Sequence, residues 1–192
     1  MNFLRSFGQL YKISECGSIT RRYTVIGAFD GALTVLGIIL GAVIASVDSA
    51  TVVVSGGIGG IVALGISSAW GALEIEILEQ KRRAKEDEDA MLVRIENSIH
   101  TRAATFATYW SAFVHGIAPV PAGLIPLLPF FFIPDLILAA TVATAIALFM
   151  LFSLGFVMGY ICDESGIYYG GRMMLAGLVT TLALLILGIQ HI

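Results

Sequence analysis

Charge is scarce in this chain of 192 residues: Asp, Glu, Lys and Arg make up only 13% of it, while hydrophobic residues make up 57%. A soluble domain is typically about half apolar and a quarter charged, so this composition indicates a membrane protein. The two cysteines show no metal-site or disulfide spacing. The sequence also lacks a nucleotide-binding loop, a nucleophile–base pair and a closed set of metal ligands. We therefore expect neither an enzyme nor a resident cofactor.

Long apolar stretches dominate what is present. About 20 apolar residues suffice for a helix to cross a bilayer, and five stretches reach that length. The sequence therefore predicts an all-α integral membrane protein, with residues 1–192 forming a single multi-pass membrane domain in the cell membrane. The predicted spans are residues 24–46, 51–78, 105–133, 136–161 and 172–190.

The distribution of basic residues predicts the orientation. Of eleven Lys and Arg residues, four precede the first span and six lie in residues 79–104, while Arg172 falls between predicted spans four and five. The positive-inside rule then places the N-terminus in the cytosol and the C-terminus outside. Residues 1–22 carry apolar residues at helical spacing, which predicts an amphipathic interfacial helix. Residues 79–104 are expected to form a short cytosolic helical segment.

Glycine and proline are placed unevenly. All five prolines lie within residues 119–134, which predicts a broken third span because each interior proline removes a backbone hydrogen bond. Broken helices recur at transporter binding sites, although a kinked helix or a tight hairpin fits equally well. Glycines four residues apart allow close helix packing. Such pairs are Gly27/Gly31, Gly37/Gly41, Gly56/Gly60, Gly155/Gly159 and Gly166/Gly170.

Two acids interrupt the apolar spans. Asp30 is the only charged residue in the first span, and Glu74 lies near the end of the second. An acid at membrane depth is costly and usually faces a bundle interior or an ion path; alternatively, it bonds a neighbouring helix or reaches the headgroups. Helical rise places them about 12 Å and about 10 Å from the inner edge, so they could share one divalent cation.

His115 lies deeper, about 20 Å from the inner edge, and is a candidate second metal position or proton acceptor. It ends a polar face on the third span, which could line a path or bond backbone carbonyls instead. That face comprises Thr101, Thr105, Thr108, Ser111 and His115. Weaker candidate metal ligands are Glu76, Glu79, Glu86 and Met91. Glu86 and Met91 belong to a charged run of the kind that usually forms a solvated helix face.

Three segments carry a resemblance to a known family. FDGALTVLGIILGA at 29–42, ISSAWGALEIEILEQKR at 66–82 and AGLIPLLPFF at 122–131 resemble the first three spans of the vacuolar iron transporter family. The resemblance implies a homodimer that exports ferrous iron, manganese or related divalent metals from the cytosol by proton antiport, with a site between protomers. The family's first-span acid falls on Asp30.

The chain departs from that family at two places. Ser68 and Ala72 stand where the second span usually has Met and Glu, and Glu74 or Glu76 could replace that glutamate from nearby. Residues 79–104 are also much shorter than the cytosolic metal-binding domain of the family's iron transporters. We therefore expect a small, prokaryotic-type relative that lacks most of that domain.

Three functions fit these observations. The first is a divalent-metal exporter whose partners are metal ions, protons, the lipid bilayer and a second copy of the chain, with no nucleic acid. The second is a transporter or channel of the same fold with another substrate. The third is a non-transporting scaffold that assembles through its glycine-rich helices.

Overall fold

The computed structural model describes residues 16–91 and 99–189, and it is helical throughout these ranges, without strands. Residues 1–15 of the predicted amphipathic helix at 1–22 lie outside the described residues, whereas residues 16–22 form the first turns of the helix that becomes the first span. The helices are α1 (Cys16–Ile44), α2 (Ala50–Met91), α3 (Ile99–Ile117), α4 (Pro119–Leu127), α5 (Pro129–Phe132), α6 (Leu136–Ile161) and α7 (Gly166–Ile189).

Five helical segments are long and apolar enough to cross a membrane, which confirms the predicted all-α, five-span fold. The α6 helix has the predicted bounds, 136–161. The inside–outside orientation stays a prediction. The segments are Gly17–Ile44, Ala50–Glu86, Ala103–Phe132, Leu136–Ile161 and Gly166–Gly188.

The third span is built from α3, α4 and α5, and its breaks follow the prolines. Pro119 and Pro129 each begin a new helix, and Pro126 lies inside α4. The junction residues Ala118 and Leu128 nevertheless keep right-handed helical backbone angles. The span is therefore interrupted at the level of hydrogen bonding, but its helical backbone angles continue through both junctions, and a tight turn at 133–135 then leads into the fourth span.

The second span extends well beyond its apolar stretch. Helix α2 runs on to Met91, so the charged segment predicted at 79–104 begins as a continuation of this helix. Ion pairs one turn apart stabilise the extension, because residues three or four apart lie side by side on a helix. Glu79 pairs with Arg82 and Arg83, and Arg82 also pairs with Glu86.

The last helix begins six residues earlier than the predicted start at 172, which corrects the position of Arg172. A turn with Asp163 at a positive φ of 55° ends the fourth span, and α7 starts at Gly166. Arg172 thus lies inside the helix, exposed, with its guanidinium 5.8 Å from the ring centres of Tyr168 and Tyr169. Stacking on aromatic faces lets a charged residue occupy a helix that hydropathy alone places in lipid.

Helix α1 forms the centre of the bundle and contacts α2, α3, α4, α6 and α7. Its side chains Ala32, Val35, Leu36 and Ile39 are fully buried. The α6 helix packs through small residues repeated every four positions, which brings its backbone close to its neighbours. These buried small residues are Ala139, Ala143, Ala147, Gly155 and Gly159, and the larger Leu151 lies at the same spacing.

The glycine pairs of α6 and α7 face each other within one chain. A Cβ atom on Gly159 would come within 2.8 Å of the Gly166 Cα atom, and one on Gly155 would come within 2.8 Å of the Gly170 Cα atom. Both contacts are tighter than side chains permit. These two pairs therefore hold the α6–α7 hairpin together.

Candidate metal-binding site

Asp30 is positioned by the contact between α1 and the first proline break of the third span. Gly27 and Gly31, three residues before and one residue after the acid, let the helices approach until backbone atoms touch. A Cβ on Gly31 would lie 2.8 Å from the Pro119 Cα atom, and one on Gly27 would lie 2.8 Å from the Ala118 Cβ atom. The carboxylate itself is half-buried. The predicted close packing at Gly27/Gly31 therefore anchors the helix that carries the acid.

Asp30 lies on a face of α1 that the rest of the chain leaves partly open. This face begins at Tyr23 and ends at Gly41, and its members follow one another at intervals of three, four or seven residues, which places them on one side of the helix. A Cβ on either Gly37 or Gly41 would meet no atom within 4 Å, so this face has free space along the apolar half of the helix. The residues of this face, hereafter the Asp30 face, are Tyr23, Asp30, Thr34, Gly37 and Gly41.

His115 is brought to the same region from α3. Its side chain is half-buried and close enough to Asp30 for the two groups to interact electrostatically. The Nδ1 atom lies 3.3 Å from the Tyr23 backbone oxygen, and the two rings are tilted with centres 5.0 Å apart. The structure therefore brings together two of the three principal predicted site residues.

Tyr23 and Glu76 extend this cluster towards α2. The Tyr23 hydroxyl donates a hydrogen bond of 2.8 Å to Glu76 Oε1. The Arg22 guanidinium stands 4.9 Å from the centre of the Tyr23 ring, and its Nη2 atom is 3.9 Å from the same Glu76 oxygen. Tyr23 was not among the site residues predicted from the sequence. Its spacing of seven residues from Asp30 was the available signal, because that spacing places both side chains on one helix face.

Glu74 points elsewhere. It is exposed in the protomer, whereas Glu76 is half-buried, because two residues turn a helix by about 200°. Glu74 ends an exposed row of small residues on α2, and this row has helical spacing of seven, four, four and three. The members of this row, hereafter the α2 small-residue row, are Gly56, Ala63, Ser67, Gly71 and Glu74.

The weaker predicted ligands are spread along the extension of α2. Glu79 and Glu86 form ion pairs with neighbouring arginines, and Glu86 is exposed. The side chain of Met91 lies outside the described residues. Among side chains in the described ranges, no three His, Cys, Asp or Glu residues gather into a potential metal cluster. Asp30 and His115 are therefore the candidate ligands from two different helices that interact electrostatically.

Part of the predicted polar face of the third span is used internally. Thr108 and Ser111 are buried; the Thr108 hydroxyl accepts a hydrogen bond from the Gln80 amide, and the Ser111 hydroxyl donates to the Thr108 backbone oxygen at 2.8 Å. The hydroxyl groups of these two residues therefore make hydrogen bonds within the bundle instead of lining a path. Thr105 is exposed, and the Thr101 side chain lies outside the described residues.

The fold and the site together define a polytopic α-helical membrane protein with a half-buried acid and a half-buried histidine in the same region of its bundle. The chain belongs to the VIT family: the sequence model of that family matches residues 73–189. The chain is also 31% identical over 169 residues to the uncharacterized protein MJ0645 of Methanocaldococcus jannaschii, covering 86% of this chain and 87% of the archaeal one. Membership in this family of transporters, rather than of enzymes, indicates metal ion transport across a membrane.

Proposed function

We propose that this protein exports divalent metal, ferrous iron or manganese, from the cytosol by proton antiport, and that Asp30 binds the transported ion. The observation that carries the proposal is the placement of a half-buried carboxylate beside His115 on the open Asp30 face. An ionised carboxylate inside a membrane bundle is stabilised by a partner of opposite charge, and a divalent cation supplies one.

Competition between metal and proton for one carboxylate explains the coupling. Divalent metal binds the ionised form, whereas an empty site surrounded by apolar residues favours the protonated form. A carboxylate that releases metal on the outer side can therefore return with a proton. His115 offers a second acceptor beside Asp30, because neutral imidazole binds either a metal or a proton.

A homodimer would complete the site. The α2 small-residue row is exposed in the protomer, and Gly37 and Gly41 on the neighbouring helix have empty space in front of them. Small residues on helix surfaces allow backbones of two protomers to approach closely in lipid. Two copies related by a two-fold axis would place both Asp30 faces around a shared path and bring Glu74 towards the partner subunit.

The alternatives are a same-fold transporter or channel with another substrate and a scaffold without transport. The alternative of another substrate is motivated by the second span, where Ser68 and Ala72 replace the Met and Glu of the family pattern and supply neither a thioether nor a carboxylate. A non-transporting scaffold does not bind an ion at Asp30, so it should tolerate Asp30→Asn. Metal specificity separates the first alternative from the proposal, and the response to charge removal separates the second.

The deciding experiment measures metal flux in proteoliposomes with and without a pH gradient, using Mn²⁺ and Fe²⁺ as probes. Asp30→Asn keeps the shape and hydrogen bonding of the side chain but removes its charge, so flux should collapse while reconstitution is preserved. Asp48→Asn, a change to an exposed acid in the α1–α2 connection, is the matched control and should transport normally. Undiminished flux in Asp30→Asn, with unchanged dependence on the pH gradient, contradicts the proposal.

A further inference from the structure

Polar contacts link α1, α2 and α3 at the end of the bundle where basic residues gather, hereafter the basic end, which carries Arg21, Arg22, Lys81, Arg82 and Arg83. Two of these links contain no charged side chain. The Trp110 indole donates to the Thr20 hydroxyl at 2.8 Å, and the Gln80 amide donates to Thr108 and to the backbone oxygen of Ala104. The third link, between Tyr23 and Glu76, involves a carboxylate.

Tyr23 stands on the Asp30 face, two helical turns closer to the basic end than Asp30 itself. Seven residues correspond to a rise of about 10 Å along the helix. An ion that moves along this face from the basic end therefore reaches the level of Tyr23 before it reaches Asp30. The Tyr23 side chain occupies that level, with its ring against His115 and its hydroxyl on Glu76.

We propose that Glu76 is the carboxylate that the metal binds at the level of Tyr23, before it reaches Asp30, and that Tyr23 is the gate residue which the metal displaces from it. This inference rests on the proposed function. With the Tyr23 hydroxyl bound to Glu76, the gate is closed. When a divalent cation binds Glu76, the phenol loses its acceptor, and its side chain can swing away from the Asp30 face.

The charges around Glu76 favour this exchange. A divalent cation interacts with a carboxylate more strongly than a neutral phenol does, because both partners carry full charge. Arg22 is the other cation near Glu76, at 3.9 Å, and its side chain is 62% exposed. The guanidinium can therefore withdraw into water or remain over the Tyr23 ring when the metal arrives. The two other links hold the three helices in place meanwhile.

The test compares Mn²⁺ uptake kinetics of Tyr23→Phe with those of the unchanged protein in proteoliposomes. The substitution removes one hydroxyl and leaves the ring that packs on His115. Because a hydrogen bond to a charged group contributes a net free energy of about 1.5–3 kcal/mol, its loss should lower the KM for Mn²⁺ by at least about tenfold. Tyr109→Phe, which changes an exposed tyrosine on α3, is the matched control and should leave the KM unchanged.

A second variant links the effect to Glu76. Glu76→Gln retains an acceptor for the Tyr23 hydroxyl but removes the charge, so the KM for Mn²⁺ should rise while the maximal rate changes little. In the Tyr23→Phe/Glu76→Gln double variant, the gain from Tyr23→Phe should disappear, because the hydroxyl no longer competes with metal for a carboxylate.

The inference fails if Tyr23→Phe keeps the KM of the unchanged protein, or if its effect persists in full without the Glu76 charge. Asp30→Asn, measured in the same assay, separates this failure from that of the proposed function. Collapsed flux in Asp30→Asn together with an unaltered Tyr23→Phe would refute the gate alone. Normal flux in Asp30→Asn would refute the transport mechanism on which the gate rests.

Discussion

The Nδ1 atom of His115 lies 3.3 Å from the backbone oxygen of Tyr23. A carbonyl oxygen only accepts hydrogen bonds, so this contact places the proton of the neutral imidazole on Nδ1. The Nε2 lone pair then remains available for a metal or a second proton. Histidines that bind metal commonly hold their other nitrogen to a backbone carbonyl in this way, which fixes the ring orientation.

Two substitutions separate the nitrogens of His115. The amide of His115→Asn can replace the Nδ1 donor, whereas that of His115→Gln reaches further, towards the position of Nε2. If Nε2 assists Asp30, His115→Asn should keep the fold but raise the KM for Mn²⁺ at least severalfold, and His115→Gln should transport better than His115→Asn. If His115→Asn and the unchanged protein show equal kinetics in the flux assay, His115 does not bind the transported metal.

Two glycines of α1, one packed against the third span and one facing open space, should change the free energy of unfolding in opposite directions when replaced by alanine. In Gly31→Ala the new methyl group meets backbone atoms of Pro119, so the free energy of unfolding should fall by about 1–3 kcal/mol. In Gly37→Ala the methyl group meets nothing within 4 Å, and the better helix propensity of alanine should raise stability by up to about 1 kcal/mol. Thermal unfolding of monomeric protein in detergent measures both. Equal destabilisation by the two changes would contradict the packing described for α1.

The dimer prediction can be tested on the α2 small-residue row. Gly71→Leu adds a bulky side chain to an exposed position without any neighbour within 4 Å in the protomer, so folding should survive while dimers dissociate. Val62→Leu is the control, because Val62 is exposed on a different side of α2. Mass measurement in nanodiscs should show monomers for Gly71→Leu and dimers for Val62→Leu. Monomers alone in the unchanged protein at high concentration would count against the dimer.

Glu74 should contribute to transport less than Asp30. It is exposed in the protomer and can approach the path only from the α2 small-residue row, across the proposed dimer interface. We expect Glu74→Gln to lower Mn²⁺ flux partially, whereas Asp30→Asn abolishes it. Parallel flux measurements at matched protein incorporation make this comparison. A loss of flux in Glu74→Gln as complete as that in Asp30→Asn would show that Glu74 is a principal ligand.

The orientation of the bundle is open to direct labelling. Cys162 is an exposed thiol in the turn between α6 and α7, which the positive-inside rule places in the cytosol. In a Cys16→Ser background, a membrane-impermeant maleimide should label Cys162 only from the cytosolic side. In a cysteine-free background, Asp48→Cys should react only from outside. Labelling of residue 48 from the cytosol alone would reverse the topology.

Hydropathy predicted the five spans because crossing a bilayer requires a long apolar stretch, and the fourth span was predicted with its observed bounds. The C-terminal end of α2 and the start of α7 could not be predicted in this way, because hydropathy identifies the segment that lies in lipid, and a helix can continue beyond that segment. Ion pairs around Glu79 continue α2 into water, and aromatic stacking lets Arg172 lie within α7.

The candidate site was only partly predictable for a different reason. Asp30 stood out because a charge in lipid is costly, and that signal exists in the sequence alone. The sequence predicted Glu74, and only more weakly Glu76, as the glutamate that binds metal together with Asp30. Which of the two faces α1 depends on the rotation of α2, and packing between residues far apart in the sequence sets that rotation. Tyr23 and Glu76 are 53 positions apart, and their hydrogen bond follows from that rotation.

The length of α2 has a mechanical consequence. Its 42 residues span about 63 Å, whereas a bilayer with its headgroups is about 40–45 Å thick, so about 20 Å of this continuous helix stands clear of the membrane. A rigid helix held at the membrane surface acts as a lever. A tilt of about 10° there would move the far end of α2 through about 3 Å. Glu76 lies near the membrane surface, so a small local displacement at that carboxylate would be amplified at the charged end of the helix.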